Sequence, residues 1–482
     1  MRWKPISRVE TMPWFWAGLL LGGLTLLTTV AGYDGLYGQD AYAHLNYARE
    51  IQEFWRSGAP LGSYQWPRLY AFLGALWPWG DPRCWMQFLS MAGAALTLAM
   101  LIKILQRSFP DARWIPALTF AFVGLSPLLV RNSLSVMTDT PALGLMTTAL
   151  WLGMQYQESG KPLKLLGIAL LSGAAILLRY PFALALFFPV VSWLWTALRR
   201  KDLLGLALFL PVMMVAALPQ FLLPEAAGEG LSQPFQHQHF IQWTPANYFG
   251  RDFVQMDGHN AYSVFNLAAA LGVFWHPRYL GLGMLGVLGW FFRRKASVKH
   301  VFWIAVGAIV VNVLFLAGIP FQNPRFLLPI LPFAAILLAA SWDFGFQRLF
   351  SSLRMQQIAF FGILFVQVGL CLWSSKLPFA VSANEKMIAA DLKAIPNQGQ
   401  RLYEFSFEAM LKARNVPLRA INMWYGPLEP PQNGDLVLFN LKAFEGQFKG
   451  MWPMKNWEML GQNHTLRVQK EWKEGWKLYV VD

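Results

Sequence analysis

The sequence predicts an all-α polytopic membrane protein with about eleven transmembrane helices, followed by a small C-terminal α/β domain. Three observations lead there. Of 482 residues, 55% are hydrophobic and only 14% charged, with a mean hydropathy of +0.36, which is too apolar for a soluble protein of several domains. Apolar runs long enough to approach a bilayer crossing recur from Trp14 to Trp373. Beyond Leu377 the pattern changes to short strand-like runs separated by polar turns.

Taken in order, the expected spans are Trp14 to Ala31, Trp85 to Leu105, Trp114 to Val130, Pro141 to Tyr156, Leu165 to Leu178, Pro181 to Leu198, Leu203 to Leu223, Leu280 to Phe292, Val301 to Ile319, Phe326 to Trp342 and Ile358 to Trp373. The first follows Met1 to Glu10 without a small-residue cleavage site, so it reads as a retained span. Lys and Arg collect on the cytoplasmic side of membrane proteins. With the N-terminus inside, seventeen basic residues fall on inner segments and nine on outer ones, although the outer loops are much longer. The outer side then carries two long loops, Gly32 to Cys84 and Pro224 to Tyr279, and the tight turns Arg131 to Thr140, Arg179 to Tyr180 and Pro320 to Arg325.

This arrangement divides the chain into a membrane domain, 1–376, and an outer-face domain, 377–482. The latter has a helical stretch at Ala383 to Ala394. Strand-like runs follow at Arg401 to Phe405, Leu418 to Ile421, Leu436 to Phe439, Thr465 to Val468 and Lys477 to Val481.

The net charge of +14 is explained by this topology, and no nucleic-acid partner is expected. The two cysteines, Cys84 and Cys371, form no CxxC and read as lone thiols. No internal repeat or related pair of halves points to a transporter.

Chemistry concentrates in the outer loops. Tyr33 to Trp55, YDGLYGQDAYAHLNYAREIQEFW, places Asp34 and Asp40 at the membrane boundary, and an amphipathic helix follows Asp40 along the interface. Asp40 has a bland reading as the N-cap of that helix. Asp139 sits in the tight turn before Pro141, where Thr140 is the expected cap, so its carboxylate has no such job. Carboxylates at span boundaries are functional candidates. Arg179, with Tyr180 beside it, and Arg325 occupy tight turns, where they suit anion binding; Arg131 lies eight residues before Asp139. His44 is one turn after Asp40 and shares its helix face. His237 and His239 in QHQHF form a weak metal motif without a third ligand.

Gly38 to Ile51, GQDAYAHLNYAREI, resembles the first outer loop of the GT-C glycosyltransferases, with Asp followed by a helix containing Ala-Arg. Trp66 to Leu73 (WPRLYAFL), Ser135 to Leu145 (SVMTDTPALGL), Gly173 to Phe182 (GAAILLRYPF) and Pro324 to Pro332 (PRFLLPILP) resemble that superfamily's later stretches, in order. The nearest groups are protein O-mannosyltransferases and aminoarabinose transferase relatives, including bacterial lipopolysaccharide-sugar transferases.

The resemblance implies a GT-C-like fold and a sugar donor carried on a polyprenyl phosphate. Position by position, it implies that Asp40 is the catalytic Asp, Asp139 the second acidic residue, and Arg179 and Arg325 the basic residues near the lipid phosphate; Asp40 and Asp139 are therefore the expected catalytic residues, and His44, Arg68, Arg131 and Tyr180 join the two arginines as expected substrate-binding residues. If a divalent cation such as Mg or Mn is used, Asp40 and Asp139 would hold it; no other cofactor is expected. Gln39-Asp40-Ala41 departs from the paired Asp-Glu of many relatives, and Pro67-Arg68 from their two prolines.

The expected function is therefore transfer of a sugar, with inversion, from a polyprenyl-phosphate donor to a hydroxyl of a lipid, glycan or protein acceptor. The expected location is a bacterial inner membrane, with membrane lipids around the spans and the site facing the periplasm. An O-antigen polymerase or ligase would share the spans and arginines without needing both acids. A transporter or flippase of lipid-linked sugars would carry charges in mid-span, and these spans are nearly free of them.

Overall fold

A backbone in hydrocarbon must satisfy its own hydrogen bonds, so the long apolar runs can only be helices. The computed structural model describes residues 13–224, 242–255, 257–289, 299–396, 398–424 and 426–482. In chain order its main helices are α1 (Pro13–Val30), α2 (Gly38–Ser57), α3 (Leu69–Ala75), α4 (Arg83–Ser108), α5 (Ile115–Thr119), α6 (Pro127–Leu134), α7 (Asp139–Ser159), α8 (Pro162–Leu178), α9 (Phe182–Arg199), α10 (Leu203–Val215), α11 (Lys299–Gly318), α12 (Leu331–Leu349) and α13 (Leu353–Ala394).

Among the described residues, six helices are long and apolar enough to cross a membrane, or seven when Ile115–Gly124 and Pro127–Leu134 count as one span bent by 61°. The bend has a local cause: a π turn over Phe120–Gly124 runs into Ser126, whose hydroxyl caps a new helix begun by Pro127. The other expected spans are broken, shorter or more polar. Leu203 to Leu223 is divided between α10 and a short helix at Leu218–Leu222. The stretch expected from Leu280 to Phe292 begins as the 3-10 helix Gly281–Val287, and its end lies outside the described residues, as do His237 and His239. Large apolar side chains such as Phe365, Trp373 and Trp195 face outward from the helices, as lipid contact requires.

Two glycines let α4 and α7 touch backbone to backbone. A Cβ on Gly93 would lie 2.5 Å from the carbonyl of Thr140, and one on Gly144 would lie 2.7 Å from the carbonyl of Gly93. Small residues at such crossings are the usual route to close helix packing in membranes. The contact fixes the first turn of α7, where Asp139 sits, against α4.

α13 continues for 42 residues, about 63 Å at 1.5 Å per residue. Pro378 lies inside it, and the helical stretch expected at Ala383 to Ala394 is its last part.

The sheet that follows has the order β4-β3-β5-β7-β6, with β3 (Arg401–Glu404), β4 (Arg419–Asn422), β5 (Leu436–Phe439), β6 (Leu466–Glu471) and β7 (Lys477–Val481). β3 runs parallel to β4 and β5 and needs crossovers; α14 (Glu408–Ala413) supplies the one to β4. Phe405, Phe439 and Phe448 fill the core on one face, joined by Leu460 of α15 (Trp452–Asn463). A short hairpin of the second outer loop, β1 (Asp252–Gln255) with β2 (Gly258–Ala261), meets this region where Gln447 donates to the Asp257 carbonyl.

Candidate active site

The site is assembled from three turns at one end of the helices. The turn Ser135 to Asp139 is pinned to α4 through Ser90: its hydroxyl donates to the Met137 carbonyl at 2.9 Å, and its carbonyl accepts from Thr140 Oγ1 at 2.8 Å. The first outer loop is pinned to the same turn, since the Val136 N–H donates to the Gly35 carbonyl at 2.8 Å. Thr140 is therefore not the expected cap. The helix begins one residue earlier, and the hydroxyl is drawn instead to a carbonyl of the neighbouring helix.

Asp40 is not a cap either. α2 begins at Gly38, three residues before the start expected at Ala41, with Tyr37 at the cap position and no side-chain capping bond. Asp40 thus sits within the first turn, where the helix dipole favours its charge. Its carboxylate accepts instead from Arg325 Nη2 at 2.8 Å. The other Arg325 nitrogen, Nη1, lies 4.0 Å from Asp139 Oδ2, and Arg179 Nε pairs with Asp139 Oδ1 at 2.8 Å. Two carboxylates and two guanidiniums form one chain, Asp40, Arg325, Asp139, Arg179, from residues up to 285 apart in sequence.

The members differ in exposure. Asp139 is fully buried, whereas about a fifth of the Asp40 side chain (21%) remains open. Burial pushes the Asp40 carboxyl upward, but Arg325 and Arg179 outweigh it and hold the group below the usual carboxylate range. Asp40 and Arg325 open onto a cavity of about 310 Å³, which Arg131 also lines. Arg131 donates to Tyr37 Oη at 2.9 Å and lies over its ring.

His44 has no exposed surface and stands edge-on to Tyr64, Trp66 and Tyr70. Its Nδ1 is bonded to Tyr64 Oη at 2.6 Å, while Nε2 has no partner. Burial lowers its pKa to about 3, so the ring is neutral at ordinary pH. Arg68 is also buried and donates Nη1 to the carbonyl of Leu223 at 3.0 Å, leaving Nε without a partner; Tyr180 is close enough to feel its charge.

The structure thus brings Asp40, Asp139, Arg179 and Arg325 into direct contact and places Arg131 on the shared cavity. His44 borders the cluster, and Arg68 and Tyr180 belong to neither the lining of the Asp40 cavity nor the acid–arginine chain. Tyr37, Tyr64 and Asn323 were not singled out from the sequence. Tyr37 and Asn323 line the Asp40 cavity, and Tyr64 orients His44.

The donor set does not suit a divalent cation. Asp40 and Asp139 are each already paired with guanidinium, and two acids against two arginines leave no net charge to attract one. Among the described residues, no three His, Cys, Asp or Glu side chains gather as a metal site. Cys84 and Cys371 are both free thiols.

No family model matches the chain, and no curated protein does. Among solved structures, ArnT from Cupriavidus metallidurans bound to undecaprenyl phosphate superposes with a TM-score of 0.59 at 15% identity, covering 96% of this chain and 97% of that one. The same protein in the apo state gives 0.57 at 13% identity over the same shares. The fold of that structure is thus shared over 96% of this chain, as the loop motifs led us to expect.

Proposed function

We propose, from this shared GT-C fold, that the chain is an integral-membrane glycosyltransferase moving a sugar from a polyprenyl phosphate to an acceptor hydroxyl. The observation that carries the reading is Asp40: a partly open carboxylate, on a cavity, bonded to an arginine that also faces a second acid. Undecaprenyl phosphate in the ArnT structure supports a donor of that class.

In the proposed reaction the acceptor oxygen attacks C1 of the sugar and its proton passes to Asp40. The C1–O bond to phosphate breaks with inversion, and its electron pair leaves on the polyprenyl phosphate. The donor diester carries one negative charge and the departing phosphate monoester gains a second. Arg325 and Arg179, with Arg131 on the same cavity wall, are placed to stabilise it. Asp139 holds the two arginines in position.

The division into a membrane part, 1–376, and an outer part, 377–482, belongs to the same proposal, as does a periplasm-facing site in a bacterial inner membrane. The acceptor is left at the level of a hydroxyl-bearing lipid, glycan or protein. Cysteines placed at Ser57 and Asn433 should react with an impermeant thiol reagent added to sealed cells, and one at Ser352 should not. The reverse pattern refutes the orientation.

The function itself is tested by Asp40→Asn, which keeps size and shape but cannot accept the proton. Transfer from a radiolabelled undecaprenyl-phosphate sugar should fall roughly 10²- to 10⁴-fold, with an unchanged thermal melt in the same detergent. Near-normal transfer by the folded variant would remove Asp40 from the chemistry.

A further inference from the structure

A second cavity, of about 360 Å³, lies beside the first and shares Asn323 and Pro324 with it as a common wall. It falls within the usual size of small-molecule sites, about 300–1,000 Å³. Tyr262, Trp275, His276, Tyr279, Phe321 and Phe326 give it aromatic side chains, Arg278 adds a cation, and no acidic residue lines it. Phe326 connects it physically to the first site, because its ring lies 5.8 Å from the Arg179 guanidinium.

The polar lining has one unmet requirement. Asn266 is 1% exposed, and its Nδ2 donates to the Ile319 carbonyl. Its Oδ1, in contrast, is buried without any partner. A buried acceptor left unpaired costs roughly 1–3 kcal/mol, a cost that a ligand hydroxyl at that spot would remove. Aromatic faces suit the C–H surface of a ring, and an orphaned amide oxygen suits an O–H donor. A cation finds no counter-charge here, and a bare hydrocarbon tail would leave the Asn266 oxygen unpaired.

We propose that this cavity is a sugar-binding subsite, seating a non-cationic pyranose of one of the two substrates across the Asn323–Pro324 wall from Asp40. The inference deepens the transferase reading and rests on it for the identity of the substrates. The pyranose could be the donor sugar or a sugar of the acceptor.

Trp275 is the residue to change, since 44% of it is exposed and neither acid–arginine pair involves it. Protein in lipid nanodiscs would be probed by saturation-transfer NMR with methyl pyranosides of gluco, galacto, manno and arabino configuration. At least one should receive saturation from the native protein. Trp275→Ala should cut that signal about five- to tenfold, the loss of one aromatic face, and Trp275→Phe should retain most of it. No signal from the native protein, or an equal signal from Trp275→Ala, overturns the subsite.

Affinities for undecaprenyl phosphate and for undecaprenyl phosphoryl hexoses then separate the sources. If only the sugar-bearing lipid weakens in Trp275→Ala, the cavity holds the donor sugar. If neither lipid changes while the pyranoside signal is lost, it holds the acceptor. Binding needs no turnover, so the same NMR measurement on Asp40→Asn distinguishes failure of the subsite from failure of the transferase reading.

Discussion

Asp34 and Asp40 lie six residues apart in one loop, and both are carboxylates paired with arginine, yet their surroundings assign them different work. Asp34 is saturated: Arg414 (3.3 Å), Lys386 (3.3 Å) and Arg83 (3.5 Å) surround one oxygen, while the Leu36 N–H and the Ser382 hydroxyl donate to the other. Asp40 has one guanidinium and an open side facing a cavity. A carboxylate with every lone pair engaged cannot receive a proton from a substrate. Asp34 is therefore a fastening point, and its pKa is low for that reason: burial raises it, but Arg414, Lys386 and Arg83 prevail.

What Asp34 fastens is the C-terminal region to the helix that carries Asp40. Arg414 also donates to Tyr42 Oη at 3.0 Å, and Tyr42 donates in turn to Glu385 at 2.6 Å. Along the rest of α2, Asn46 donates to the Ala409 carbonyl, Arg49 to the Ala413 carbonyl, and Lys412 pairs with Glu50.

The largest test of the contrast is in turnover. Asp40→Asn should lose the 10²- to 10⁴-fold stated above, while Asp34→Asn, assayed per folded molecule, should stay within about an order of magnitude of the native enzyme. Equal losses in both would erase the distinction. Stability should show the reverse order. Asp34→Asn leaves three cations facing a neutral amide and should cost about 2–3 kcal/mol in a denaturation measurement. That is less than the 3–5 expected for a fully buried pair, because Arg83 and Lys386 are about one-third exposed.

A smaller effect sharpens the role of Arg325. In the native protein Asp40 stays ionised until pH falls below the ordinary carboxylate range, so kcat/KM should be flat on the acid side down to about pH 4. Arg325→Ala leaves burial less opposed, and the acid limb should move to higher pH in the residual activity. An unmoved limb would show that Asp40 does not titrate in the rate. The smallest effect concerns His44. Neutral down to about pH 3, it should add no inflection near pH 6.5, and His44→Phe should cost about 1–2 kcal/mol by stranding the Tyr64 hydroxyl. A new inflection near 6.5 in the native profile would make His44 a titrating group.

How far this was legible depended on how local each cause was. The five C-terminal strands could be read from β-branched and aromatic runs because each run is its own signal, and the structure places them within a few residues of where they were expected. Asp40, Asp139, Arg179 and Arg325 were legible as types, being charges at span ends, but no periodicity could reveal that Arg325 takes the Asp40 carboxylate. The helix starts three residues earlier than expected, and Asp40, inside its first turn, meets Arg325 instead of capping. Asp34 was seen as a charge at a boundary, but its partners at positions 83, 382, 386 and 414 come from four other segments, so its fastening role left no mark nearby. Tyr64 and Asn323 escaped for the same reason. The change of pattern beyond Leu377 marks no break in the backbone: α13 runs on through Pro378, because one missing backbone donor is too little to end so long a helix.

In the proposed transfer, Arg325 would also set an order in time. Its Nη2 rests on Asp40, which makes the carboxylate a reluctant proton acceptor. An arriving lipid phosphate would compete for the same N–H groups, and each one it claimed would return proton affinity to Asp40. The base would then be armed by the very charge that later departs. Once that phosphate diffused away, the guanidinium would fall back onto the carboxylate, the captured proton would pass to water, and the cycle would reset without any second switch.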